Sequence, residues 1–373
     1  MKASSRMWIA LVALLLLQTS SFSQALRLPD DGVNLPRKTG TKIGVTNIDI
    51  SWNAPGVKGR EGKIWGTSIA WYGFTVLGFG SNVESPWRAG ANESTTISFS
   101  TDVTINGKKL PAGSYGFFIA VYPDSCTLIF NKNTKGWGSY FYRKELDALR
   151  VTAIQQKDMK ESRERLDYIF SKETDHSIEV ALEWERWRIP FTVEVDLINT
   201  SLAEIRSQLS GAIGFDPPSL EAAAGWCLRK KVNYEEALGW MNIVTDPNMG
   251  NIKTFSALST KASLLTRLNQ QAEADKIMQG ALENATTLEM HQYGRQLLGE
   301  KRVKEAMAVF EKNFKKNKGA WPTNVGMMRG YSAMGDLKKA LEHAKLAVAQ
   351  APDDLNKSFL EQAVKTLESG KAL

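Results

Sequence analysis

Along this chain the spacing of apolar residues changes once. From about residue 40 to residue 200 apolar side chains recur with a period of two, the spacing of a half-buried strand. Ile43, Val45, Ile48, Ile50 and Trp52 open the series. Thr95 to Ile105 predicts one strand, or two with a kink, closed by Asn106-Gly107. Asn-Gly is the strongest short hairpin signal, because both residues accept a positive φ. Lys108 to Gly113 predicts a second turn, and Ser114–Tyr122 and Thr127–Phe130 predict further strands. The alternations Leu166/Tyr168/Phe170 and Ile178/Val180/Leu182/Trp184 add two more, and Phe191–Ile198 closes the set. About eight to ten short strands with regularly spaced turns predict an all-β domain over 40–200, a sandwich or jelly-roll-like barrel. The segment 24–39 before it reads as a linker.

From residue 201 the period becomes helical. Ala237, Ala274, Ala306 and Ala340 are separated by 37, 32 and 34 residues. Twelve positions before them stand Gly225, Ala262, Gly294 and Met328, and four positions after them Met241, Met278, Phe310 and Ala344. Small residues let paired helices approach, and the apolar residue after each Ala faces the next unit. With Tyr331, Ala347 and Pro352 in the last unit, residues 215–355 resemble the tetratricopeptide repeat, a helix-turn-helix of about 34 residues. Leu355–Leu367 predicts a capping helix, which a stack of repeats requires, and Asp216-Pro217-Pro218-Ser219 predicts a helix start. The expected architecture is an all-β domain followed by an all-α tetratricopeptide-like helical solenoid over 201–373.

The longest apolar run, Met7–Leu17, is too short for the roughly 20 residues of a membrane-spanning helix. Lys2 and Arg6 precede it and Ser21-Phe22-Ser23 follow it, the layout of a secretory signal peptide. Residues 1–23 are therefore expected to be removed, leaving an exported protein, periplasmic or extracellular, that starts at Gln24 and has no membrane span. Only Cys126 and Cys227 are present, one in each predicted domain, so packed cores rather than disulfides must hold the chain. Hydrophobic residues make up 43%, enough for such cores. The net charge of +7 is spread out, and Lys312, Lys315, Lys316 and Lys318 read as the wet end of a helix. No nucleic-acid partner is expected.

The β half carries a run of ordered words: Lys58-Gly59-Arg60, Ile64-Trp65-Gly66, Trp87-Arg88-Ala89-Gly90-Ala91-Asn92-Glu93, Leu110-Pro111-Ala112-Gly113-Ser114-Tyr115, Trp137-Gly138-Ser139-Tyr140 and Asp147-Ala148-Leu149-Arg150-Val151. On these it resembles the family catalogued as domain of unknown function 2911, frequent in exported proteins of Bacteroidetes-type bacteria. The resemblance implies export and a β fold, and no activity. Where that family has a short Pro-Tyr-Gly link, this chain carries the longer Thr67–Pro86 with Trp71-Tyr72-Gly73-Phe74 and Leu77-Gly78-Phe79-Gly80.

Chemistry is sparse. The three histidines, His176, His291 and His343, are not spaced as metal ligands, and no nucleophile elbow or phosphate loop is present. No catalytic residue, cofactor or metal is nominated. Arg60, Arg88 and Glu93 are candidates for holding an anionic or polyhydroxylated ligand, since arginine presents a planar fork. Asn92 suits sugar hydroxyls, and Trp65, Trp87, Trp137 and Tyr140 suit stacking. The same residues fit a structural role in which Arg88 pairs with Glu93, Asn92 caps a turn and the indoles fill a core. On a regular strand through Glu183–Arg188, Trp184 and Trp187 point to opposite faces, with Arg186 near an indole. Three functions stay open. One is a non-catalytic exported binding or scaffold protein, its β domain taking a small polar ligand, glycan or peptide and its repeats a protein partner. The second is a glycan-directed or other hydrolase using Glu93 and Arg88. The third is a structural periplasmic assembly factor.

Overall fold

A computed structural model describes residues 33–373; the expected signal peptide, 1–23, lies outside the described residues. The chain divides into two compact units, Met1–Ser201 and Leu202–Leu373.

The first unit holds two antiparallel sheets. One runs in the order β1 (Asn34–Ile43), β2 (Thr46–Pro55), β5 (Ala91–Phe99), β8 (Gly113–Val121), β9 (Cys126–Asn131), β10 (Asp147–Ala153). The other runs β11 (Arg163–Ser171), β12 (Ser177–Glu185), β13 (Trp187–Glu194), β6 (Val103–Ile105), β7 (Lys108–Leu110). The first strand thus starts inside the segment read as linker. Alternation along β2 buries Ile48, Ile50, Trp52 and Ala54. These side chains meet the opposite sheet: Trp52 lies edge-on to Tyr168 at 5.0 Å, and its Nε1 donates to the Leu166 carbonyl at 3.1 Å. Phe117 of β8 packs on Tyr168 and Phe191 at 6.2 and 5.7 Å. The unit is a β-sandwich closed by aromatic contacts between the sheets.

Thr95–Ile105 resolves into two strands in different sheets. β5 ends at Phe99, and the polar Ser100-Thr101-Asp102 carries the chain across to β6. The β6–β7 hairpin turns at Asn106 and Gly107, with φ of 44° and 79°. The expected closing strand stops at Glu194, because Asp196 accepts from the Asn199 backbone N–H and starts a helix at Leu197. The opposite-face placement of Trp184 and Trp187 is also corrected. Glu185 takes a φ of 54°, and β12 turns into β13 so tightly that Trp184 and Trp187 become cross-strand partners. Both contact Trp65, which stacks on Trp187 at 4.5 Å and meets Trp184 edge-on at 5.9 Å. Arg186 donates instead to the carbonyls of Met159 and Lys160, at 2.8 Å each.

The long link Thr67–Pro86 forms a small hairpin, β3 (Thr75–Val76) with β4 (Glu84–Ser85). Phe74 beside it packs on Phe118, Ala120, Ile129 and Tyr142, a second core on the outer face of β8 and β9. That face is why β8 reads as buried on both sides rather than alternating.

The second unit is built from four helix pairs and a final helix. The boundary with the first unit falls within α1 (Leu197–Leu209). The pairs are α2 (Pro217–Lys230) with α3 (Tyr234–Thr245), α4 (Phe255–Arg267) with α5 (Gln271–Asn284), α6 (Thr287–Gly299) with α7 (Val303–Lys316), and α8 (Trp321–Ala333) with α9 (Leu337–Ala349). The last helix, α10 (Asp354–Glu368), packs on α9. Side-chain caps start several of them: Asp216 accepts from the Ser219 N–H ahead of Pro217, and Thr286 forms a capping box with Glu289. Ala237, Ala274, Ala306 and Ala340 are all buried, and so are Met241, Met278, Phe310 and Ala344. Phe310 is held by three glycines. A Cβ on Gly326 would lie 2.6 Å from its ring, one on Gly330 3.1 Å, and one on Gly294 would overlap it.

Candidate functional site

The loop from Trp87 to Glu93 is a hydrogen-bonded corner. Ala89 and Asn92 take φ of 51° and 55°. The Ala89 carbonyl accepts from Thr95 Oγ1 at 3.1 Å and from the Tyr168 hydroxyl at 2.9 Å. Arg88 is half-buried; its Nη1 donates to the Asn92 carbonyl at 2.9 Å, and its guanidinium lies 5.5 Å from the Tyr140 ring centroid. Burial lowers the Arg88 pKa, against the pull of the Tyr140 hydroxyl. Ser94 donates to the carbonyls of Gly136 and Gly138 at 3.0 and 2.9 Å, tying the loop that carries Trp137 and Tyr140 to β5.

Arg88 and Glu93 do not pair. Glu93 is exposed and accepts from Asn53 Nδ2 at 2.6 Å. Asn92 accepts from Asn34 Nδ2 at 3.2 Å. Asn92 and Glu93 share an open polar groove of about 720 Å³ with Asn34, Arg37, Asn53 and Thr96. Trp87 belongs to the core, stacked at 6.1 Å on Trp184 and edge-on to the half-buried Trp65 at 5.5 Å. Trp137 is half exposed. Arg60 closes a separate turn, donating from Nη2 to the Gly56 carbonyl at 2.7 Å and from Nε to that of Val57 at 3.0 Å. The eight residues therefore separate into a groove pair, an arginine–tyrosine stack, an indole core, a surface indole and a turn.

A second cleft of the β domain, about 640 Å³, lies between the β3–β4 hairpin and the segment leading into β10. Tyr142 and Arg150 line it. The Tyr142 hydroxyl donates to Asp147 Oδ2 at 2.7 Å, Arg150 Nε donates to the same oxygen at 2.7 Å, and Arg150 Nη2 reaches the Tyr142 oxygen at 2.7 Å. Asn131 Nδ2 closes the network on Asp147 Oδ1 at 2.7 Å, and Phe74 lies 5.2 Å from the Arg150 guanidinium. Burial, then the bond to Asp147, pushes the Tyr142 pKa well up and keeps the phenol protonated. The i, i+3 spacing of Asp147 and Arg150 was the available sequence signal. Tyr142 carries none, because its role depends on the hairpin folded over it.

In the helical unit, the first helices of successive pairs pack together for α2 with α4 and for α6 with α8. Between α4 and α6 a cleft of about 480 Å³ opens. Its floor is apolar (Ala262, Ala274, Met278) and its walls are polar, with Arg229 from α2, Ser259, Ser263 and Arg267 from α4, and Tyr293 and Gln296 from α6. Arg302 at its edge bridges Asp275 at 2.7 Å, and the bonds to Glu305 and Asp275 hold its charge firmly. Sequence reading singled out the helical unit for a partner, yet none of these positions.

Among the described residues no group of His, Cys, Asp or Glu is placed to hold a metal, and no helix is long and apolar enough to cross a membrane. Cys126 and Cys227 are buried, unbridged thiols.

The family model described as "Protein of unknown function (DUF2911)" matches residues 36–193. That span is the two-sheet sandwich. No curated protein matches the chain. Among solved structures, the chain is similar to MamA from Desulfovibrio magneticus RS-1, at 18% identity over 41% of this chain and 90% of that one, with a TM-score of 0.29. It is also similar to YrrB, described as a TPR protein with an unusual peptide-binding site, at 19% identity over 44% of this chain and 87% of that one, with a TM-score of 0.30. The repeat architecture of this chain rests on its own helix pairs.

Proposed function

We propose that this is an exported, non-catalytic scaffold whose helical repeat holds a segment of a protein partner. The observation that carries the reading is the cleft between α4 and α6. Three successive helix pairs contribute to it, and an apolar floor with hydroxyl, amide and guanidinium walls suits an extended peptide: the floor takes side chains, the walls take main-chain groups. For the β domain, the groove at Asn34, Asn53, Asn92 and Glu93 supports a second, smaller role. Its amides and carboxylate are a donor–acceptor set matched to a polar small ligand, a glycan or a peptide.

The test is a photo-crosslinking amino acid placed at Ser263 in the cleft and, as control, at the exposed Lys365, in the full chain made by its own cells. A discrete protein adduct from Ser263, absent from Lys365 and lost when Arg267→Glu is added, is expected, in protein recovered from the exported fraction with Gln24 as its first residue. Identical adducts from both positions, or none from Ser263, would remove the cleft as a partner site. A retained Met1 would remove export by signal cleavage.

A further inference from the structure

Among the described residues of the first unit nine large apolar side chains are exposed, and five of them lie together. Val76, Phe79 and Val83 belong to the β3–β4 hairpin; Trp137 and Phe141 belong to the loop against which it folds. Phe79 stands at the hairpin tip, 68% exposed, between Gly78 and Gly80 at φ of 76° and 70°. The tip is pinned. Ser81 donates from its backbone N–H and its Oγ to the Tyr140 carbonyl at 2.7 and 3.0 Å, and a Cβ on Gly80 would overlap that carbonyl. Phe79 meets the rings of Tyr140 and Phe141 edge-on at 5.9 and 6.4 Å, and the Tyr140 N–H donates to the Trp137 carbonyl at 3.4 Å. A contiguous apolar surface held open to water marks a contact with something else.

The charge around it is mostly positive. Lys132, Lys135, Arg143 and Lys144 are exposed, against Glu84 and Glu145. Arg143 lies 3.6 Å from Glu145, and among the described residues none of the three lysines bridges a carboxylate. Lys132 and Arg143 line a cleft of about 440 Å³ with Ser81 and Phe141. Arg143 and Lys144 line the cleft of about 640 Å³ with Val76 and Val83. Cations and apolar side chains thus share both clefts.

We propose that this face seats the protein on an anionic lipid surface, with the aromatic tip in the headgroup region and the lysines and Arg143 against lipid phosphates. The choice of occupant follows from the composition of the face. Phe and Trp beside lysines suit a membrane interface, where rings bury at the acyl boundary and ammonium groups reach back to phosphate. Protein interfaces are depleted in lysine. A two-fold dimer through this face would set its excess cations against their own copies. The contact is peripheral, since no helix of the described residues is long and apolar enough to cross a membrane. It stands apart from the helical cleft, and neither reading depends on the other.

The experiment uses the chain from Gln24, which keeps every described residue and drops the apolar run Met7–Leu17. Cys126 and Cys227 are buried, so the thiol introduced by Val83→Cys takes a polarity-sensitive fluorophore selectively. Glu173→Cys, exposed in the connection between β11 and β12, carries the control label. Vesicles of phosphatidylcholine and phosphatidylglycerol in equal parts are expected to blue-shift the label at position 83 and leave that at position 173 unchanged. Phosphatidylcholine alone should shift neither. Adding Phe79→Ser should weaken partitioning about ten-fold through lost apolar burial, and Lys135→Gln about five-fold, the share of one cation near an anionic surface. The proposal is overturned if the label at 83 does not respond, if neutral vesicles act equally, if the control label responds as strongly, or if either substitution leaves partitioning unchanged. A response of the label at 83 to protein concentration without vesicles would assign the face to a second copy of the chain and overturn it too.

Discussion

The residue that best shows how a polar cluster can mislead is Arg88. From sequence it stood beside Glu93, five positions on, with an ion pair or a ligand as its two readings. The tight turn through Ala89 and Asn92 instead directs the guanidinium to the Asn92 carbonyl and the Tyr140 ring. It is held by a backbone dipole and a π face, with no acid involved. Arg88→Ala is accordingly expected to lower the stability of the sandwich by about 1–3 kcal/mol, the range for losing a hydrogen bond to a charged group. Urea denaturation followed by tryptophan fluorescence measures it. An unchanged midpoint, together with lost ligand binding, would return Arg88 to a binding role. Glu93 differs: exposed and bonded to Asn53, it remains open to the groove. The two residues were read as one unit, and the backbone turn between them separates their surroundings.

At the scale of elements, the repeat spacing was legible because close helix approach demands small residues at fixed positions. The alanines at 237, 274, 306 and 340 are buried as that demand requires. What spacing does not show is which small residue is indispensable. Gly326, outside the spacing of the pattern, faces Phe310, and a Cβ there would sit 2.6 Å from the ring. Gly239, in the middle of α3, has nothing within 4 Å. Gly326→Ala should therefore destabilise the helical unit by about 1–3 kcal/mol through overpacking, whereas Gly239→Ala should stabilise it by roughly 0.5–1 kcal/mol through helix propensity. Helical circular dichroism against denaturant separates the two. Opposite signs are the expected outcome; equal signs would mean that the Phe310 pocket relaxes freely. On the β side, the Trp184–Trp187 hairpin could not be read from alternation, since a two-residue turn restores the same face after three positions and leaves no gap in the apolar pattern.

For the whole chain, two sets of observations stand side by side: a sandwich closed by interlocking aromatics, and a repeat closed by small-residue helix contacts. Neither relies on covalent staples. Cys126 and Cys227 lie buried in separate units, and burial pushes the Cys126 thiol up to about 12. Since the thiolate is the reactive form, an aromatic disulfide reagent should titrate no fast-reacting thiol in the native protein and both thiols in denaturant. Loss of either thiol from the denatured count, restored by reductant, would reveal a bridge.

The sequence by itself determined the order of the two folds, the hairpin at Asn106-Gly107, the helix start at Asp216, and the repeat spacing. These depend on local backbone preference and on periodic burial, both carried by neighbours in the chain. Only the tertiary structure decided the crossing of β5 to β6 between sheets, the folding of Thr67–Pro86 over Tyr142, and the parting of Arg88 from Glu93. Each of those is a contact between residues far apart in sequence, or a turn whose direction is set by what it packs against. A one-dimensional pattern records that a residue is polar or apolar; it does not record which other residue will stand opposite it.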